Sequence, residues 1–143
     1  MKQLLFAPLL FLASFHTEKK DAAPTTFGGD HYQVFINDRL IGEGHGENST
    51  AAFALTHDNE NDQLRVKYRH CGEKGKERKL VLMDGDKTIR SWEFRDRENG
   101  AATIGVAVKE ILATKTSSHV AAVYYFSKEL PKGRRMISLK MPS

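Results

Sequence analysis

The sequence predicts an all-β protein, an antiparallel sandwich of about seven to eight short strands with at most one short helical turn. Three observations carry this reading. Residues 63–70, Gln-Leu-Arg-Val-Lys-Tyr-Arg-His, alternate polar and apolar without a break, the period of a strand with one wet face. Short apolar runs recur along the rest of the chain between turn-rich segments. No sustained 3.6-residue periodicity competes with them, and two facing sheets are the simplest way to bury so many one-sided strands.

Tyr32-Gln-Val-Phe-Ile36 and Arg39-Leu-Ile41 flank Asn37-Asp38, a tight-hairpin signal, because Asn and Asp tolerate positive φ. That register sets Val34 against Ile41 and Phe35 against Leu40, with both hairpin faces covered. The glycine-rich stretch 42–50 reads as a flexible loop and 51–56 as a short strand. In the strand over 63–70, Leu64, Val66, Tyr68 and His70 share the inner face, while Arg65, Lys67 and Arg69 face water. A hairpin loop then leads to the strands Leu80-Val-Leu-Met83 and 87–95, divided by Asp84-Gly85. Ile89 is out of phase with Trp92, which calls for a bulge. Asp96-Arg-Glu-Asn-Gly100 reads as a turn, 103–108 as a strand and Lys109-Glu-Ile-Leu-Ala113 as one helical turn. Val120-Ala-Ala-Val-Tyr-Tyr-Phe126 is apolar on both faces, as a central strand is. Leu130-Pro-Lys-Gly133 reads as a turn before a last strand that points Ile137, Leu139 and Met141 inward. The closest architectures of this kind are immunoglobulin-like or jelly-roll-like.

At 143 residues the chain holds one domain plus extras. Lys2 followed by the uncharged run Leu4-Leu-Phe-Ala-Pro-Leu-Leu-Phe-Leu-Ala13 fits a secretory leader and is too short for the roughly 20 residues that span a bilayer. The expected division is a signal peptide over 1–16, a polar linker over 17–29 and the β domain over 30–141. This places the protein in the periplasm, on the cell surface or outside the cell. One cysteine provides no internal disulfide, so the fold rests on its core. The net charge of +4 hides an asymmetry: residues 1–60 carry 4 Lys and Arg against 8 Asp and Glu, residues 61–143 carry 18 against 10. A basic half attracts acidic partners, and solvated strands are also basic for solubility alone.

The chemistry-bearing candidates are few. Cys71 follows His70 and precedes a basic cluster, the setting that lowers a thiol pKa. Neighbours on a strand face opposite ways, however, so the pair reads rather as an inner histidine and a small, buried, inert thiol at a strand end. Lys74, Lys76, Arg78 and Lys79 form the densest basic run, a candidate grip for a polyanion. It lacks the Lys-Ser or Lys-Thr of a P-loop and has no interleaved aromatics for base stacking, so nucleic acid is disfavoured and a solvated hairpin loop is the plainer reading. Asp58-Asn-Glu-Asn-Asp62 places oxygens at alternate positions but continues with Gln63 and Arg69 where a calcium loop needs Gly and Glu. His16, His31, His45, His57, His70 and His119 show no paired metal spacing. No cofactor is implied. Asn48-Ser49-Thr50 matches a glycosylation sequon, relevant only in a eukaryotic secretory pathway. Tyr124, Tyr125 and Trp92 offer rings for a sugar platform, with Trp92 and one tyrosine expected in the core.

The segments Asp30-His-Tyr-Gln-Val-Phe-Ile-Asn37, Asn61-Asp-Gln-Leu64, Tyr68-Arg-His-Cys-Gly72 and Glu129-Leu-Pro-Lys-Gly-Arg134 together resemble small exported β-rich proteins of unknown function from Bacteroidetes-type bacteria, over about residues 30–140. The resemblance implies export and a β-rich fold, and it brings no catalytic residue. The sequence thus points to an exported binding or interaction module for a protein or glycan partner. A small thiol enzyme using Cys71 with a histidine, and a polyanion binder using the 74–79 loop, are the alternatives.

Overall fold

The computed structural model describes residues 29–95 and 102–143. The leader, all of the linker but Gly29, and the turn over 96–100 therefore lie outside the described residues. Among the described residues, nine strands form two sheets. The strands are β1 (His31–Ile36), β2 (Arg39–His45), β3 (Ala52–Ala54), β4 (Gln63–Arg69), β5 (Lys79–Asp84), β6 (Lys87–Glu93), β7 (Thr103–Ala107), β8 (Val120–Ser127) and β9 (Leu130–Lys140). The four-stranded sheet runs β2-β1-β4-β7, the five-stranded sheet β3-β9-β8-β5-β6. Every pairing is antiparallel except that of β3 with β9. One short helix, α1 (Val108–Leu112), and a 3-10 turn over His57–Asn59 complete the described elements. The result is the β-sandwich that the alternating strands require.

The core lies between the sheets. Val34, Leu64 and Val66 from one sheet and Leu80, Leu82, Val123, Ile137 and Leu139 from the other are fully buried. Each such side chain contributes about 1.5–3 kcal/mol by leaving water. Two bulges tune which residues face inward. Leu82 pairs with Arg90 and Met83 with Thr88, so Ile89 is the extra residue on β6, where its phase called for a bulge. Val123 pairs with Ile137 and Tyr124 with Arg135, which leaves Met136 as the extra residue on β9 and lets both Met136 and Ile137 be buried.

Several expectations need correction. Stretch 42–50 is not wholly a loop, because β2 continues through His45. Gly42 and Gly44 mark close approach rather than freedom: a Cβ on Gly44 would collide with the hydroxyl of buried Tyr32. Val34 pairs with Gly42, not Ile41, owing to a register shift, and Leu40 is 46% exposed, so that hairpin has one covered face. The turn near residue 130 falls at Lys128-Glu129, and Leu130 already pairs with Ser127. Most consequentially, β4 and β5 do not form a hairpin. They belong to different sheets, and residues 70–78 carry the chain across one end of the sandwich.

That crossing begins with a two-residue turn. The His70 and Glu73 backbones exchange both hydrogen bonds, at 2.6 and 2.9 Å, around Cys71 (φ 49°) and Gly72 (φ 91°). Two successive left-handed residues give the turn whose twist matches paired strands. Cys71 is exposed there, not buried as its size suggests. Its β-carbon sits in a conformation that ordinary side chains resist and asparagine accepts. Cys71→Asn is accordingly expected to raise stability by about 0.5–1 kcal/mol, as a higher urea midpoint with unchanged slope.

Candidate functional site

One end of the sandwich gathers polar side chains from four segments. Asp30 stands just before β1, Tyr68 and His70 at the end of β4, Tyr125 and Ser127 at the end of β8, Glu129 in the next turn and Arg134 on β9. Because β1 is antiparallel to β4 and β8 to β9, the start of one strand and the end of its partner meet at the same edge. A single oxygen, Asp30 Oδ2, lies 2.8 Å from the Tyr68 hydroxyl, 3.0 Å from Arg134 Nη1 and 3.3 Å from His70 Nδ1. Arg134 also donates to the Tyr68 hydroxyl. Across the imidazole, Nε2 is 3.0 Å from Ser127 Oγ and 3.4 Å from the Tyr125 hydroxyl, with Glu129 Oε2 at 4.0 Å. A carboxylate only accepts, so Nδ1 is the donor toward Asp30, and Nε2 is turned to the two hydroxyls.

Aromatic rings bind this array into the core. Tyr32 and Tyr68 stack across β1 and β4 at 5.9 Å, and Tyr68 stacks on Tyr125 of the opposite sheet at 4.2 Å and 3°. Burial raises the phenols of Tyr68 and Tyr125. Tyr125 is pushed up to about 12, with the Ser127 hydroxyl and the Arg78 charge partly offsetting burial. Tyr68 is pushed higher still, by burial and then by its hydrogen bond to Asp30. For Glu129, burial pulls upward but is outweighed. Hydrogen bonds from the N–H groups of Lys76 and Glu129 and from the Ser127 hydroxyl, with the nearby His70, hold the carboxyl below its ordinary 4.5.

Asp30, His70 and Ser127 thus stand in the order acid, imidazole, hydroxyl, the arrangement that activates a serine nucleophile elsewhere. Here the hydroxyl is closed off. Ser127 is 6% exposed, and Gly75 is packed directly over it. A Cβ on Gly75 would fall 2.4 Å from the Tyr125 hydroxyl, 2.9 Å from His70 Nε2 and 2.9 Å from Ser127 Cβ. The crossing loop is also tied to the β8–β9 turn, by Lys76 N–H to Glu129 Oε2 at 3.0 Å and Lys128 N–H to Lys76 O at 2.8 Å. As it stands, the array can hold two sheets and a loop together, and no substrate carbonyl reaches Ser127.

The residues singled out from sequence are dispersed. His70 turns inward and Cys71 lies exposed on the turn, so the two do not meet. Arg78 is buried, 2% exposed, and its charge acts on Tyr125. The Lys79 ammonium sits 5.1 Å above the Phe126 ring on the outer side of the five-stranded sheet. Lys74 is half-buried, and only Lys76 of the four is exposed. The loop is therefore a fastened crossing, not a solvated hairpin. Tyr125 is core while Tyr124 faces outward, which breaks the ring platform. Asp62 holds a turn: Asn59 and Asn37 donate to its carboxylate at 2.8 and 2.9 Å and lower its pKa. Among the described residues no group of three His, Cys, Asp or Glu side chains is placed to hold a metal ion. Nor, among them, is any helix long and apolar enough to cross a membrane.

Sequence reasoning missed Asp30, Ser127 and Arg134 as members of one site. Their partners lie 38, 57 and 104 residues away along the chain, and nothing local signals such meetings. Three of the four segments that carry the resemblance described above do converge here. Compared with known proteins, the chain matches no family model, no curated protein and no solved structure.

Two titrations check this site. Glu129 has a folded-state value below its unfolded one, so its contribution is present above pH 4.5 and is lost as pH falls through the folded value. Glu129→Gln is expected to cost about 1 kcal/mol at neutral pH, discounted for a carboxylate one-third exposed. The stability gap to wild type then narrows between about pH 5 and 3 in urea titrations. The tyrosines run the other way: their contribution is complete below the ordinary value of 10.0 and is lost as pH rises through the folded values. Phenolate absorbance of Tyr125 should emerge only near pH 12, that of Tyr68 later, and Tyr125→Phe should delete the former.

Proposed function

We propose that this protein is an exported, non-catalytic binding domain of bacterial type. The observation that carries the reading is the sealing of the acid–imidazole–hydroxyl array: Gly75 covers it, and Ser127 is spent on His70, Tyr125 and Glu129. The most reactive constellation among the described residues is thereby used for packing, which leaves the strand faces for recognition. The uncharged N-terminal run and the resemblance to exported β-rich bacterial proteins support export. The thiol-enzyme alternative loses His70 as its base, because that ring is engaged by Asp30 and Ser127 while Cys71 points elsewhere.

The ordered contacts Asp30–His70–Ser127 favour one second reading, a serine hydrolase whose crossing loop must first lift. A fluorophosphonate probe applied to the folded full chain distinguishes the two. No labelling above that of Ser127→Ala is expected. Ser127-dependent labelling with a His70→Ala-sensitive rate would sink the non-catalytic reading.

A further inference from the structure

The outer face of the four-stranded sheet carries a second grouping of charge, away from the sealed end. The inner residues of β4, Leu64, Val66 and Tyr68, are at most 1% exposed, so Arg65, Lys67 and Arg69 all project from the opposite side. Alternate residues on a strand stand about 7 Å apart, so the three basic residues are set in a straight row, with the Arg69 guanidinium donating to Gly72 O at 3.1 Å at one end and that of Arg65 meeting Asp38 at the other. The neighbouring strand sets His31 beside Arg69, Gln33 beside Lys67 and Phe35 beside Arg65. Beyond it, His45 stacks on His31 at 4.7 Å. On the other flank β7 places only Thr103 beside Lys67 and Gly105 beside Arg65. These small residues leave a shallow depression lined by Phe35, Asp38, Arg65, Lys67 and Thr103.

Two acids border the row. Asp38 meets Arg65 at 3.0 Å, but with side chains 99% and 43% exposed the pair is screened and exchangeable. Glu43 sits on the edge strand, opposite Gln33. Among the described residues the row is uniformly basic, and it lies outside the core.

We propose that this face binds a linear anionic polysaccharide. The proposal rests on the binding-domain reading above and gives it a surface and a ligand class. An evenly spaced row fits a polymer that repeats its negative charge, whereas a compact anion would need cations converging on one point. β1 sets one ring at each end of the row, His31 beside Arg69 and Phe35 beside Arg65, with Gln33 between them, so the unbroken stacking series that captures single-stranded bases is not formed along it. The outward polar groups, Gln33, Thr103 and the two imidazoles, supply hydrogen bonds suited to hydroxyls.

The test is calorimetric titration of the full chain with heparin across a salt series. About three cation contacts on a flexible polyanion give a log K against log salt slope near −2. Replacing Arg65, Lys67 and Arg69 together by Gln is expected to abolish measurable binding, and each single replacement to flatten the slope by about 0.7. The triple Lys74→Gln, Lys76→Gln, Lys79→Gln is expected to retain wild-type affinity, with matching circular dichroism and melting in both triples. Equal loss in the two triples, or binding unchanged by the first, would overturn the proposal. A single-stranded oligonucleotide of matched charge that binds more tightly than heparin would also overturn it. Absence of any heparin binding refutes the ligand class but leaves the non-catalytic reading standing, which falls only to Ser127 labelling.

Discussion

The parallel stack of Tyr68 on Tyr125 is the contact on which the closed end of this sandwich depends. Two rings from opposite sheets at 4.2 Å fix the spacing of the layers where the strands end and apolar side chains run out. Their hydroxyls are then carried into a region where an unsatisfied polar group costs about 1–3 kcal/mol. Asp30 and Arg134 satisfy Tyr68, while His70 and Ser127 accompany Tyr125. Each partner brings a requirement of its own. The half-buried aspartate needs the guanidinium, the imidazole needs Asp30 on one nitrogen and a hydroxyl on the other, and Ser127 leans on Glu129. The path of the crossing loop follows, since only a residue without a side chain passes over this set at such range, and Gly75 occupies that place.

The same logic limits what the cluster can do. A catalytic serine has to be reachable, and its imidazole has to be able to give and take a proton during the reaction. Here the hydroxyl lies under backbone, and the loop above it is held by two backbone-anchored hydrogen bonds to the β8–β9 turn. Lifting the loop would break those bonds and expose the tyrosine stack together with them. Geometry resembling a reaction centre thus fastens the two sheets and the crossing loop to one another.

Much of the fold was legible in local pattern. The alternation of 63–70 places Leu64, Val66 and Tyr68 inside without error, because a strand's period is fixed by covalent geometry. The phase slip at Ile89 gave the bulge for the same reason. What escaped was decided by distant partners. Gly44 reads as flexibility and is instead the seat of Tyr32. The run after β4 reads as a hairpin, yet its tight turn at Cys71-Gly72 sends the chain across to the other sheet. Arg78 reads as one more surface cation, and its burial beside Tyr125 depends on where that crossing lands. Strand periodicity is a property of neighbours, whereas the polar cluster is assembled by topology.

Strand β4 joins these two levels. Its inner residues are constrained by packing: leucine, valine and tyrosine fill the interior, and His70 ends the row by joining the polar cluster. Its outer residues face no such constraint, because nothing in the core touches them. An unconstrained strand face ordinarily mixes charge signs, which gives solubility without a directed field. Here three of the four outward positions are cationic, the fourth being Gln63, and the acids of the neighbouring hairpin, Asp38 and Glu43, lie at its rim. The basic excess of residues 61–143 is thus concentrated in part on one straight line, beside a strand of small side chains that leaves room against it. A scattered excess would serve solubility equally well. A linear one adds a directed field that only an extended anionic partner can use along its whole length.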